Sequence, residues 1–452
     1  MMKQTKKATA LLLSLSMILA AMPAAGVSAA DGTADAMTAT ITLNETAAEA
    51  TGSNVTVEGS KITISASGSY AFSGKLTDGQ IIVNVADEVA DPGTVKLFFN
   101  GVDIKGVTAP PVYVMNAENT SINLADGTEN VLSDGGAYAA DTNAVIYAKD
   151  DITIKGGEAG TGKLTVNAVY QHALHCNNDV KITGGNITIK TDDGDGKTTG
   201  AGDAIRGKTS VEIKGGKLDI NSGGDGVKST KGSVLISGGD IEIKASNDAV
   251  QGETAVEISG GTLKANGDRG LTNASTAAGN AVKITGGSIL ATATDAQMIA
   301  ANNTQPVLLI SLTEEQVKDQ RIELFAEGEE IAAFSRNPSK KFDYILISDP
   351  ALTAGTVYTL KIAGFVPSVN RIKLTDSVTK VEGVSMAARE MDINEDNEVD
   401  VIDAVLLARF VVEDPDVVLS AVGLSRADTN GDGIKDTEDI TRILKHIAHM
   451  AI

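Results

Sequence analysis

Val180-Lys181-Ile182-Thr183-Gly184-Gly185-Asn186-Ile187-Thr188-Ile189-Lys190 is the stretch that decides the fold. Apolar and polar residues alternate on both sides of a glycine pair, and most of the apolar ones are β-branched. That pattern predicts two short strands, each burying one face. The Gly-Gly pair predicts a turn between them that needs unusual dihedrals. Similar text recurs on either side. Gly-Gly pairs stand at 156, 184, 215, 238, 260 and 286. Val211 and Ile213, Val234 and Ile236, Val256 and Ile258, and Val282 and Ile284 precede the later four.

Units of roughly 22 to 31 residues with two or three short strands have the arithmetic of a parallel β-helix, whose rungs stack about 4.8 Å apart. A β-propeller needs about forty or more residues per blade, and leucine-rich repeats need a Leu/Asn consensus that is absent. The expected fold class is all-β: a right-handed parallel β-helix.

A second column follows each strand pair: His172-Ala-Leu-His175, Asp203-Ala-Ile-Arg206, Asp225-Gly-Val-Lys228, Asp248-Ala-Val-Gln251 and Arg269-Gly-Leu-Thr272. Asp203, Asp225 and Asp248 would lie one rung apart, close enough for their charges to repel. Such a ladder persists if a cation sits between the carboxylates or if backbone N–H groups hydrogen-bond them. Both readings stay open. Asp193 and Asp195, in the insertion before Asp203, tip that end toward calcium.

More specific text flanks the repeats. Ile62-Thr-Ile64-Ser-Ala-Ser-Gly68-Ser-Tyr70, Leu97-Phe-Phe-Asn100-Gly101-Val102 and Gly127-Thr-Glu129-Asn130-Val131-Leu132 precede them. Asp349-Pro350-Ala351-Leu352 to Leu360 follows. From about residue 38 to 365 the chain resembles the clostridial carbohydrate-binding domain-containing family, whose fold is similar to polysaccharide lyases. The resemblance implies a right-handed parallel β-helix with bound calcium that binds cellulose and polygalacturonate without known catalysis. Asp193, Asp195, Asp203, Asp225 and Asp248 are the calcium candidates there, by their place in the repeated motif.

Beyond Gln305-Pro306 the repeat stops. A β-rich cap is expected over 307–380, with a short acidic helical piece from Thr313 to Gln320. Tyr344 to Ile347 and Val357 to Ile362 should form a hairpin pair across Gly355. An open sheet end would otherwise template aggregation.

The last sixty or so residues carry two loops with acidic or amide side chains at alternate positions. Asp392, Asn394, Asp396, Glu398, Asp400 and Asp403 occupy positions 1, 3, 5, 7, 9 and 12 of the first. Asp428, Asn430, Asp432, Ile434, Asp436 and Asp439 occupy the same positions of the second. Calcium takes six to eight hard oxygens, and position 7 gives only its backbone carbonyl, so Ile434 is harmless. Gly433 suits the sharp turn at position 6. Each loop leads into one apolar, helical run. The pair resembles a type I dockerin over 389–452. That resemblance implies one calcium ion per loop, two in all, and docking onto a cohesin of a scaffoldin, as in cellulosomes. The partner-reading positions 10 and 11 map to Val401 and Ile402, then Thr437 and Glu438. These pairs differ from each other, and neither is the Ser-Thr pair common in clostridial dockerins.

Lys3, Lys6 and Lys7, an apolar run from Ala8 to Ala25, and small residues to Ala29 have the layout of a secretory signal peptide over 1–29. No later segment is long and apolar enough to span a bilayer. The expected order is therefore leader, β-helix over 30–306, cap, and dockerin, in a protein exported to a cellulosome or cell surface. A formal charge of -21 argues against nucleic acid or anionic membrane as partners. A single cysteine, Cys176, excludes an internal disulfide and reads as a small buried side chain.

Three functions compete. The first is a non-catalytic, calcium-dependent binder of plant cell-wall polysaccharide, pectin or cellulose. The second is a calcium-dependent pectate lyase, which needs a cationic base such as Arg206, Lys228 or Arg269. Each of these serves equally as a charge partner for the neighbouring carboxylates, which would keep it protonated. The third is a structural surface protein. With no Trp and 3% aromatic residues, flat platforms for sugar rings are scarce, although Tyr113, Tyr138, Tyr147 and Tyr170 recur in successive rungs. Scarce aromatics and abundant Asp favour an acidic sugar over crystalline cellulose, so the first reading leads.

Overall fold

The computed structural model describes residues 36–448 apart from 137, 139–141, 192–201, 275–281, 296–302, 327–328, 331–337, 363–366, 368, 370, 376, 386–390, 395 and 397–398. The expected leader, Asp193, Asp195 and Glu398 lie outside the described residues.

Successive repeats pair in parallel and in register. Val180, Val211, Val234 and Val256 align across neighbouring strands, as do Ile182, Ile213, Ile236 and Ile258. Past the glycine pair, Ile187, Leu218, Ile241 and Leu263 form a second such column. All of these side chains are buried in one continuous core. Each fully buried Val, Leu or Ile contributes about 1.5–3 kcal/mol, so the alternating pattern supplies much of the drive to stack. A third set of strands forms a separate ten-stranded sheet that runs from Val55–Glu58 to Arg269–Asn273.

The glycine column shows why the register is kept. Gly185, Gly216, Gly239, Gly261 and Gly287 have φ values of 95, 94, 100, 83 and 91°. A Cβ on Gly216 would lie 2.8 Å from the carbonyl oxygen of Gly185, and one on Gly261 would lie 2.7 Å from that of Gly239. Any side chain there is strained in its backbone and collides with the preceding repeat.

The expected right-handed parallel β-helix is corrected by the pairing pattern. The glycine pair is expected to break the strand in every repeat, and it does so at 156, 184, 215 and 238. At Gly260-Gly261 and Gly286-Gly287 the strand runs straight through, giving Ala255–Asn266 and Val282–Ala293. Ala255–Asn266 therefore pairs with both Ser233–Ile236 and Asp240–Ala245. At the other end, Thr94–Gly106 runs through Asn100-Gly101 and pairs with both Asn119–Leu124 and Glu129–Asp134. These two long strands fasten the first and second strand sets together at both ends. The hydrogen-bonded circuit closes as a 12-strand parallel barrel, where the expectation had separate stacked faces.

Residues 307–384 differ from expectation in two further ways. Thr313 to Gln316 are the end of the strand Val307–Gln316 rather than a helix. Phe342–Ser348 does not pair with Val357–Ile362. It lies antiparallel to both Val282–Ala293 and Val307–Gln316, whereas Val357–Ile362 belongs to a separate four-stranded sheet. A second core, with Leu308, Phe342, Ile345, Tyr358 and Leu360, fills the space between these sheets.

The C-terminal part holds two 11-residue helices, α1 (Val401–Val411) and α3 (Thr437–Ile447), with the short α2 (Ala421–Arg426) between them. Asp400 caps α1 and Asp436 caps α3. In each case the carboxylate accepts a backbone N–H, and Asp403 or Asp439 completes a capping box. Leu407 and Ile443 meet in a small core with Met391, Ile393 and Leu419.

Candidate functional site

The ten-stranded sheet turns the polar-small-apolar-polar motif into a row. Leu174, Ile205, Val227, Val250 and Leu271 align across the strands and point into the core. Because side chains alternate faces along a strand, the next residue of each strand turns to the opposite face, although Thr272 at the downstream end is buried there. Register then lines up Tyr113, Tyr147, His175, Arg206, Lys228, Gln251 and Thr272, one from each repeat.

Beside the row lie the buried Asp203, Asp225 and Asp248. Oδ1 of Asp203 accepts the N–H of Asp225 at 3.0 Å, and Oδ1 of Asp225 accepts the N–H of Asp248 at 3.0 Å. The ladder continues as Arg269 Nε donates to Asp248 Oδ1 at 2.7 Å. The other oxygens take side-chain donors three residues on. Arg206 reaches Asp203 at 2.9 Å, Lys228 reaches Asp225 at 2.5 Å, and Gln251 reaches Asp248 at 3.0 Å. Every carboxylate oxygen of the ladder thus has a protein donor. Burial raises the pKa of Asp248, against the opposing charge of Arg269. The three candidate bases, Arg206, Lys228 and Arg269, are all tied to these carboxylates.

At the upstream end, His172 Nδ1 accepts the N–H of Asp203 at 2.8 Å, and His175 Nδ1 lies 2.6 Å from the amide oxygen of Asn143. An amide oxygen only accepts, so His175 Nδ1 carries the proton there. Burial, helped by the charges of His172 and Arg206, pushes His175 down to about 4. Burial likewise lowers His172, against the pull of Asp203. Both imidazoles are neutral near pH 7.

The tyrosines do not make a flat platform. Tyr113 and Tyr147 are tilted at 56° with ring centroids 5.7 Å apart, and Tyr147 stands at 90° to His175 at 5.3 Å. Tyr138 and Tyr170 pack edge to face at 5.6 Å. Tyr138 and Tyr147 are each 7% exposed. Cys176 is buried, and its thiol is pushed up to about 12 by that burial, which leaves it inert.

In the C-terminal loops, the position-12 carboxylates act as hubs. Asp403 accepts the N–H groups of Ile393 at 2.7 Å, Asn394 at 3.1 Å and Asp400 at 2.9 Å. Asp439 accepts those of Thr429 at 2.7 Å, Asn430 at 3.2 Å and Asp436 at 2.9 Å. Burial would raise the pKa of Asp439, but these N–H groups hold it below the usual carboxylate range. Asn394 donates to Asp396 at 2.6 Å, and Asn430 donates to Asp432 at 3.0 Å. The loops differ at position 1. Asp428 accepts the N–H groups of Gly431 and Gly433, both at 2.9 Å, while Asp392 is buried against the Arg426 guanidinium at 2.8 Å. Ile434 is exposed. Carboxylate and amide oxygens at alternate positions, with Gly431 and Gly433 at φ 76 and 85°, are a donor set that fits calcium rather than a soft metal. Among the described residues, no three His, Cys, Asp or Glu side chains converge as a metal cluster, on the ladder or in the loops.

One group of residues carries no signal along the chain. Asn119, Thr153, Lys155, Lys181, Thr183 and Lys214 line an open groove of about 520 Å³ on the barrel. They come from four different repeats, and only the sheet register brings them together.

A β scaffold bearing a straight polar row, joined to paired Asp-terminated loops, is the architecture of a binding protein with its own docking module. The chain belongs to the carbohydrate-binding domain-containing protein family, which it matches over residues 58–314, and it ends in a type I dockerin, matched over 390–448. A carbohydrate-binding domain-containing protein of Acetivibrio thermocellus is 43% identical over 136 residues, 29% of this chain and 45% of that protein. The match thus spans less than half the length of that curated relative. A solved structure of a polysaccharide lyase-like protein from C. thermocellum, a gadolinium derivative, is similar at 35% identity and a TM-score of 0.46. That match covers 55% of this chain and 94% of the other.

Proposed function

We propose that this carbohydrate-binding protein is a secreted, non-catalytic binder of an acidic plant cell-wall polysaccharide such as polygalacturonate, held on a cellulosome scaffoldin through its dockerin. The observation that carries the reading is the row Tyr113–Tyr147–His175–Arg206–Lys228–Gln251. A straight line of polar side chains at strand spacing, about 4.8 Å per step, suits an extended polymer lying along it. Arg206 and Lys228 at its centre keep N–H groups beyond those used on Asp203 and Asp225, and these can meet uronate carboxylates. Tilted, largely covered tyrosines speak for this acidic ligand over a flat cellulose surface. Three cations already engaged with carboxylates support binding rather than base catalysis.

Calcium serves the dockerin in this reading, where Asp392, Asn394, Asp396, Asp400 and Asp403, then Asp428, Asn430, Asp432, Asp436 and Asp439, would hold one ion per loop. Ile434 contributes its carbonyl. The β part meets the polymer with its own cations. The test uses the whole protein on immobilised polygalacturonate, with and without chelator, while unsaturated product is followed. Retention in both conditions, no product, and at least tenfold weaker binding by Arg206→Gln with Lys228→Gln is the expected result. Gln keeps a donor for each Asp, as Gln251 does for Asp248. Retention lost in chelator would place a required calcium on the β part. Product formation would make the protein a lyase.

A further inference from the structure

We propose that the groove of Asn119, Thr153, Lys155, Lys181, Thr183 and Lys214 is a second saccharide site, selective for a sugar ring that carries a carboxylate; this rests on the acidic-polysaccharide reading above. In a chain of net charge -21, three lysines meet in one groove. Lys155, Thr183 and Lys214 follow one another in successive repeats, since Thr183 N–H donates to Ile154 and Lys214 N–H donates to Ile182. Thr153 and Lys181 are paired in the adjacent column. Among the described residues a single carboxylate pairs with these lysines. Glu212 takes Lys181 at 3.3 Å and Lys214 at 2.9 Å, and Lys155 has no carboxylate partner among the described residues.

The groove therefore keeps an excess of positive charge, with two hydroxyls and one amide beside it. That is the complement of a uronate: one carboxylate for the ammonium groups and ring hydroxyls for Thr153, Thr183 and Asn119. Its volume of about 520 Å³ falls in the range of small-molecule sites. Its residues lie on strands of the barrel or, for Thr183 and Lys214, one residue past them, whereas the Arg206–Lys228 row belongs to the ten-stranded sheet. One molecule would then hold a polymer at two separate places, and an acidic polymer would be cross-bridged as well as bound.

The experiment is calorimetric titration of the full protein with trigalacturonate, with cellotriose and inorganic phosphate as comparison ligands, alongside turbidity of polygalacturonate. The native protein should take about two trigalacturonates. Lys155→Gln with Lys181→Gln and Lys214→Gln should take one, and should lose the polymer cross-bridging. Lys214→Arg should keep both. A triple variant that still takes two would overturn this site and leave the row intact as the carrier of function. Equal uptake of cellotriose, or competition by phosphate as strong as by trigalacturonate, would also overturn it. If the native protein takes no trigalacturonate at all, both readings fall together.

Discussion

The Asp203–Asp225–Asp248 ladder and the Asp428 loop set the same side chain against the same backbone donors, and they arrive at different ends. In the ladder each carboxylate takes an N–H or an arginine from the next repeat with one oxygen, and a side chain of its own strand with the other. One partner comes from the next repeat and the other from three residues on, and they include full positive charges. In the loop, Asp428 and Asp439 accept only N–H groups and a hydroxyl from within the loop itself, and neighbouring Asn430 and Asp432 lean on each other. In the ladder the charge is compensated within the fold. An acidic loop whose charge is met only by dipoles still favours a cation.

The largest test of that contrast is removal of the ions. Chelation, or Asp392→Ala with Asp428→Ala, should unfold the dockerin and abolish cohesin binding, while the β part melts as before. Binding at a thousandfold excess over Kd stabilises by about 4 kcal/mol, so a shift of that order is expected in calorimetry. Full cohesin binding by the double variant would refute the assignment of these loops.

Next in size, Asp225→Ala should destabilise the β part by about 2–3 kcal/mol in urea unfolding. It strands the Lys228 ammonium and the buried N–H of Asp248 together. Asp225→Asn keeps an acceptor and should cost about half as much. Equal effects of the two would mean that the ladder's charge contributes nothing.

A third comparison sets the two dockerin repeats against each other. Val401 and Ile402 are 57% and 53% exposed at the start of α1, where α3 presents Thr437 and Glu438. Val401→Ala with Ile402→Ala should weaken cohesin binding about tenfold, near 1.4 kcal/mol, and Thr437→Ala with Glu438→Ala far less. Equal losses would show that both faces are read.

A fourth effect concerns pH. His175 titrates near 4 when folded and near 6.5 when unfolded, so the unfolded chain gains a proton first as pH falls. Stability should decline from pH 6.5 toward 4. Asp248, whose pKa burial raises, works in the opposite sense. The difference between the native protein and His175→Gln isolates the histidine, and a pH-independent difference would rule out the lowered pKa of its buried ring.

The sequence made the strand register, the core columns and the Asp column readable, because each depends on residues repeated at fixed places within a unit. The i,i+3 partners Arg206, Lys228 and Gln251 were in the same motif, although only the structure showed both oxygens of every ladder Asp engaged. Closure into a barrel was not readable. Whether a glycine pair ends a strand depends on the hydrogen bonds offered by the adjacent repeat, and those continue past Gly260 and Gly286 but not past Gly184. The hairpin expected across Gly355 failed for a related reason, since Phe342–Ser348 finds distant partners. Lys155, Lys181 and Lys214 look like ordinary surface lysines until register assembles them.

The two long strands that fasten the barrel, Thr94–Gly106 and Ala255–Asn266, leave every repeat between them attached only to its immediate neighbours. Duplicating one of those inner repeats would lengthen the outward row by a single side chain and disturb neither fastening. On the binding reading proposed above, the footprint on a glycan would be heritable in whole steps, and a gene could lengthen or shorten the grip of this protein one tooth at a time.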